Sequence, residues 1–217
     1  MIWWTLALVA VVWAVEFFYL RGENLAQFDS PKPTPRSSGP IASDEHNAVV
    51  ASLGGITALL KGVPRRGHIP LLRKHMDTMF GSDESGAQIT PVTAAGVPAE
   101  WVLAPGVDNR RRLLYIHGGA FTMGSPTSHR RLTGKLSELA NAAVLAIDYR
   151  LMPEHPRMAG IEDCRSAYRW MLENGPAGPP QRSPASAVFV AGDSAGGNLT
   201  LSLIAWVRDS NQLLEAT

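Results

Sequence analysis

The chain has 217 residues, 45% of them hydrophobic, and a formal net charge of +1. That length and apolar content suit one domain with a sizeable packed core. The near balance of charge argues against a generic nucleic-acid or acidic-substrate surface, and a single cysteine, Cys164, excludes internal disulfides and cysteine-type zinc clusters.

Residues 1–20 are almost continuously apolar, with Glu16 the only charge. As one helix they would span about 30 Å, the thickness of a bilayer core. Trp3, Trp4, Phe17, Phe18 and Tyr19 mark the two ends, where aromatic belts sit. No basic segment precedes the run and no small-x-small site follows it, so it reads as a retained N-terminal transmembrane anchor rather than a cleaved signal peptide. Arg21, Lys32 and Arg36 follow, and the positive-inside rule then leans towards the cytoplasmic face for the rest of the chain. Residues 21–42 read as a linker, because Pro31, Pro33, Pro35 and Pro40 favour extended polyproline II.

Two helices are expected over residues 43–81. Ser43 can cap the first, which carries Asp44 and Glu45 in its opening turn and an apolar stripe of Val49, Leu53, Ile56 and Leu60. Ile69, Leu72, Met76, Met79 and Phe80 form the stripe of the second. Gln88–Val92 and Glu100–Ala104 alternate weakly and predict an antiparallel pair. From Arg112 the rhythm changes to strand, glycine turn, helix. Strand 113–116 precedes helix 128–141, strand 143–147 precedes helix 160–174, and strand 187–191 precedes a helix after Ser194. Strands alternating with helices predict an α/β fold with a doubly wound, mostly parallel sheet.

The chemistry gathers at two glycine turns. Gly192-Asp193-Ser194-Ala195-Gly196 lies between a strand and a helix, the setting of a nucleophile elbow that leaves the Ser194 hydroxyl exposed. His117-Gly118-Gly119-Ala120-Phe121 ends an earlier strand. The backbone N–H groups of Gly118 and Gly119, with that of Ala195 beside the serine, suit an oxyanion hole. His117 is better placed to hold that loop than to act as a base. Asp193 is expected to hydrogen-bond locally rather than to orient a base. Asp148, Arg150, Glu154, His155, Glu162 and Asp163 read as a structural set of ion pairs and turns. The runs Arg110-Arg111-Arg112 and Arg130-Arg131 read as solvated faces, and Cys164, in a helical run, as a buried structural thiol. The six histidines show no metal-ligand spacing, and no cofactor is called for.

These motifs, with Asp148-Tyr149-Arg150-Leu151-Met152-Pro153-Glu154-His155-Pro156 and Ile161-Glu162-Asp163-Cys164, resemble the hormone-sensitive-lipase-like family of α/β-hydrolases, which includes bacterial esterases and arylacetamide deacetylases. The resemblance implies an α/β-hydrolase fold with N-terminal cap helices over residues 43–81. It also implies a serine carboxylic-ester hydrolase of small to medium acyl esters, working through an acyl-enzyme on Ser194. Ala120 departs from it, standing where a third glycine is common, as do Met152 and the pair Arg157-Met158. No histidine follows Ser194, whereas in this fold the triad runs serine, carboxylate, histidine. Residues 43–217 are therefore expected to be a C-terminally truncated hydrolase domain, inactive in this form. The alternative is a small-molecule-binding module, or a dead fragment, that keeps the pocket without turnover.

Overall fold

The structure, a computed structural model, describes residues 2–20, 22, 43–81, 86–177 and 183–210. The chain divides into two compact units, Met1–Ala51 and Ser52–Thr217, with the boundary inside a helix. Apart from Gly22, the expected linker lies outside the described residues.

In the first unit, helix α1 covers Ile2–Val15. At Glu16 the hydrogen bonding widens to a π-helical stretch, Glu16–Leu20, along which Trp13 and Phe17 stack at 5.2 Å. The expected membrane anchor and its cytoplasmic-side orientation are overturned, because no helix among the described residues is long and apolar enough to cross a membrane. Fourteen α-helical residues rise only about 21 Å, short of a bilayer core of about 30 Å. Helix α2, Asp44–Leu60, follows. The Ser43 hydroxyl accepts from the His46 N–H at 3.2 Å, as a cap should.

The second unit is built on one five-stranded sheet. Its strands are β1 (Gln88–Ala94), β2 (Val97–Leu103), β3 (Arg111–Ile116), β4 (Ala143–Ile147) and β5 (Ala187–Gly192), in spatial order β1-β2-β4-β3-β5. β1 pairs antiparallel with β2, and β2 with β4, while β3 runs parallel to both β4 and β5. The sheet is therefore mixed, with a parallel half that carries the glycine turns. The opening pair extends further than alternation predicts, since Ala95 and Gly96, both at positive φ, close it in a two-residue turn.

Three helices follow the parallel strands: α4 (Arg130–Ala140), α5 (Arg157–Glu173) and α6 (Ser194–Asp209), with α3 (His68–Phe80) before the sheet. One face of the sheet sends Trp101, Leu114, Ile116, Leu145 and Ile147 into a core with Ala167 and Met171 of α5 and Leu199 and Leu203 of α6. The other sends Val102, Leu113, Tyr115, Val144 and Ala146 towards Leu136 and Ala140 of α4. Neighbouring residues of β3 and β4 thus enter opposite cores, which is why β4 is apolar throughout and β3 is apolar from Leu113 on.

The reading of Arg110-Arg111-Arg112 as a solvated face fails at Arg112, which is fully buried. Its Nη1 donates to the carbonyls of Met171 (2.6 Å) and Leu172 (3.3 Å), and its Nη2 to Ser183 Oγ (3.0 Å). The guanidinium thus meets the negative end of α5. Burial, helped by Arg110, pulls its pKa below the usual arginine value. Arg130 likewise turns inward, its Nη2 donating at 2.7 Å to the buried Glu100 carboxylate. Of the residues read as structural, several are paired or buried as expected. Arg150 grips Asp163 through Nε and Nη2, Arg73 pairs with Glu154, and Cys164 is buried.

Candidate active site

β5 ends at Gly192 and α6 begins at Ser194, so the reversal between them is made in two residues. Ser194 carries it at φ +50°, a left-handed conformation that costs a non-glycine residue roughly 1–2 kcal/mol. Gly196 permits the close approach that follows. A Cβ there would overlap the Ile116 carbonyl oxygen and lie 2.6 Å from that of His117. The elbow is thereby pressed directly against the end of β3, where the second motif starts.

Asp193 is the N-cap residue of α6, yet its side chain makes no capping hydrogen bond. The carboxylate reaches across to the other loop instead. Its Oδ1 accepts from the Tyr115 hydroxyl at 2.7 Å and from the Gly118 N–H at 2.8 Å, and His129 Nε2 lies 3.4 Å away. Burial alone would raise the pKa of Asp193; the Tyr115 and Gly118 hydrogen bonds and His129 outweigh it and hold the carboxyl below its ordinary value. With the cap side chain turned away, the first N–H groups of α6, including that of Ala195, have no side-chain cap.

The loop after β3 is held from several directions. His117 is buried, its Nδ1 2.7 Å from the Gly118 carbonyl and its ring stacked on Tyr149 at 4.4 Å. The Tyr149 hydroxyl donates to the His117 carbonyl at 2.9 Å. Burial dominates the imidazole and lowers its pKa to about 4, so His117 is neutral near pH 7. Gly119 sits at φ +120°, and Ala120 and Phe121 follow at φ +55° and +61°. The departure at Ala120 is thus an L residue in a conformation that glycine adopts freely. Further along, Arg73 of α3 donates to the Thr122 carbonyl (2.7 Å) and the Met152 carbonyl (3.0 Å), while Asp77 accepts from the Ser125 hydroxyl. Arg73 and Asp77 stand one helical turn apart and hold two points of the same loop.

The expected site residues therefore come together in part. Ser194, Ala195 and the 117–121 loop adjoin through Gly196 and Asp193. Gly118 departs from its expected role as an open donor, because its N–H is paired with Asp193. Among the described residues, no histidine hydrogen-bonds Ser194. Sequence reasoning did not single out Tyr115, His129, Arg73 or Asp77; each meets partners across 48 to 81 residues of chain, a separation no local pattern reveals. Beside Asp193 opens a cavity of about 640 Å³, walled by Met76, Met79 and Phe80 of α3 and by His129 and Leu132.

Comparison with known proteins supports the fold. Residues 113–216 match the model of a family described as having an alpha/beta hydrolase fold. An acetyl-hydrolase of Streptomyces hygroscopicus is 44% identical over 125 residues, 58% of this chain and 39% of that protein. The carboxylesterase/phospholipase LipF of Mycobacterium tuberculosis is 42% identical over 122 residues, 54% of this chain and 31% of that protein. Among solved structures, a mutant of esterase E40 aligns with TM-score 0.68 at 34% identity, over 82% of this chain and 56% of that one. An esterase of the bacterial hormone-sensitive lipase family aligns with TM-score 0.63 at 32% identity, over 78% and 54%. The chain spans about a third of the length of these curated relatives and about half of these structural ones.

Proposed function

We propose, from the premise that this chain belongs to the hormone-sensitive-lipase-like family of α/β-hydrolases, that it carries the nucleophile and oxyanion half of a serine carboxylic-ester hydrolase. The observation that carries the reading is Ser194 itself, held at φ +50° on the first turn of α6 with the cap side chain turned away from it. In this reading Ser194 Oγ attacks the acyl carbonyl and its proton passes to a base, solvent water where this chain acts by itself, which returns a proton to the departing alcohol. The tetrahedral oxyanion is met by the N–H groups of Gly119 and Ala195. The alcohol then leaves, and water releases the acid from the acyl-serine. In a complete triad the base is a histidine oriented by a carboxylate. None of the described histidines bonds Ser194, so slow turnover is proposed for this chain by itself.

Small to medium acyl esters suit the cavity between α3 and α4, whose Met76, Met79, Phe80 and Leu132 offer an apolar wall beside Asp193. The relatives named acetyl-hydrolase and carboxylesterase/phospholipase bracket the same range. Helices α2 and α3 are then the cap region, with α3 as one wall of the acyl site. The second reading, a binding module without turnover, rests on the same missing histidine bond together with the retained cavity.

Labelling separates the two readings. A fluorophosphonate probe should modify the wild-type chain at Ser194, and Ser194→Ala should abolish both labelling and hydrolysis of p-nitrophenyl esters. Labelling and hydrolysis that survive Ser194→Ala would remove Ser194 from the mechanism. Ester binding without labelling or turnover would favour the binding module.

A further inference from the structure

We propose that Asp193 is a positioning residue for the oxyanion loop: its carboxylate, one residue before Ser194, holds the Gly118 N–H and so fixes how the neighbouring Gly119 N–H is aimed. The inference rests on Ser194 and Gly119 forming the reacting pair. It begins from a role that Asp193 does not fill. An aspartate at an N-cap ordinarily turns back to bond the N–H two or three residues on. Here no such bond forms, and only the backbone carbonyl of Asp193 serves the helix, accepting from the Gly197 N–H at 3.1 Å.

The carboxylate is committed elsewhere. The Tyr115 hydroxyl at 2.7 Å and the Gly118 N–H at 2.8 Å converge on one oxygen, Oδ1, with His129 Nε2 at 3.4 Å. The second oxygen, Oδ2, lies against the Gly118 α-carbon so closely that a Cβ there would collide with it. A residue with any side chain at 118 would push the loop off the elbow. An ionised carboxylate is an acceptor only, which suits a point where the Tyr115 hydroxyl and the Gly118 N–H meet, with the His129 ring 3.4 Å away. Tyr115 lies on β3, Gly118 on the loop that follows it, and His129 in the turn Thr127–His129 before α4. Its imidazole is anchored from behind by Ser128 Oγ (3.0 Å) and the Ser125 carbonyl (3.1 Å). The bond to Gly118 therefore joins the nucleophile's segment to the donor loop through a single side chain. Gly119 is the next residue, at a φ of +120°, and the peptide plane that carries its N–H is met at its other end by His117 Nδ1, 2.7 Å from the Gly118 oxygen, so Asp193 and His117 hold Gly118 from two sides.

A positioning role and a merely structural one make different demands on the same variants. In the full 217-residue chain, Asp193→Ala should speed hydrogen exchange of residues 117–121 by at least about tenfold. It should lower kcat on p-nitrophenyl esters by about 10–100-fold with KM within about twofold, since a misaimed donor loses part of the 10²–10³ that one oxyanion donor supplies. Asp193→Asn, which can still present an oxygen to Gly118, should recover most of both effects. Tyr115→Phe removes one tether without touching the elbow and should fall between wild type and Asp193→Ala. If Asp193→Ala does not fold, Tyr115→Phe decides. Unchanged exchange at 117–121 in the folded variants would overturn the proposal, as would a fall in kcat/KM carried wholly by KM. A wild-type chain that hydrolyses no ester would sink the hydrolase reading instead, and the exchange measurement would then judge the clamp alone.

Discussion

Adding one methyl group at Gly196 tests whether the elbow owes its position to backbone contact. The built Cβ overlaps the Ile116 carbonyl oxygen and lies 2.6 Å from the His117 carbonyl oxygen. Ordinary van der Waals contact begins near 3.4 Å, so the first turn of α6 must retreat from β3 by about 0.8 Å or more. Both obstacles are backbone atoms, which cannot rotate aside, and overpacking of this kind costs about 1–3 kcal/mol. Alanine in place of glycine in a helix returns up to about 1 kcal/mol. With both obstacles fixed in place the cost sits near the top of that range, so the net loss is about 2 kcal/mol, or about 4–8 °C in melting temperature for a chain of this size. The effect on chemistry should be larger. Shifting Ser194 by close to an ångström from the 117–119 loop should cost about 10²-fold in kcat. The neighbouring Gly197 supplies the control, since its Cβ would meet only the Gly192 carbonyl oxygen, at 3.3 Å. Circular dichroism melts and p-nitrophenyl ester turnover of wild type, Gly196→Ala and Gly197→Ala measure both quantities. A Gly196→Ala chain that melts with the wild type, or a Gly197→Ala chain that suffers more, would refute the argument.

Acid should weaken the fold through His117. Its folded pKa of about 4 lies below the unfolded value of about 6.5, so between those pH values the unfolded chain binds a proton that the folded chain refuses. Stability is therefore intact above pH 6.5 and falls towards pH 4, and His117→Gln should flatten that part of a urea-denaturation series; an unchanged slope would place the effect elsewhere. Cys164 is buried and its pKa is pushed up to about 12, chiefly by desolvation. Its thiol should resist a thiol-reactive chromogenic disulfide in the native chain and react on unfolding; prompt reaction under native conditions would contradict that burial.

The parallel half of the sheet was legible because β3 to β5 are short apolar runs, β4 buried on both faces, and β3 and β5 each run into a glycine turn. β4 begins and ends where its apolar run does, and β3 and β5 differ from expectation by two residues or fewer. The glycine spacing around Ser194 announced an elbow because a tight strand-to-helix reversal tolerates few side chains. What sequence could not convey was the use of polar groups across distance. Arg112 looks like its exposed neighbours until the α5 carbonyls are brought to it. Asp193 looks like a cap until Gly118 arrives from the other motif. The N-terminal run misled for a different reason. Its apolar content is continuous, but the change from α to π hydrogen bonding at Glu16 leaves no mark in hydropathy.

Helix α3 holds the loop at Thr122 through Arg73 and at Ser125 through Asp77, while its Met76, Met79 and Phe80 wall the cavity. Access and readiness are therefore coupled. Any motion that widened the cavity by lifting α3 would draw Arg73 and Asp77 away from the loop, and Arg73 would leave the Met152 carbonyl and Glu154 at the same moment. On the proposed hydrolase reading, a substrate would enter with the loop slack, and the loop would regain its tethers only when the helix settled back. A ligand that fills the space without obstructing α3 would favour the taut state, whereas one that wedges the helix outwards would hold the loop slack. If an acyl group occupies that space, its shape would govern the rate as well as the affinity, because the helix that walls the space also holds the loop beside Ser194.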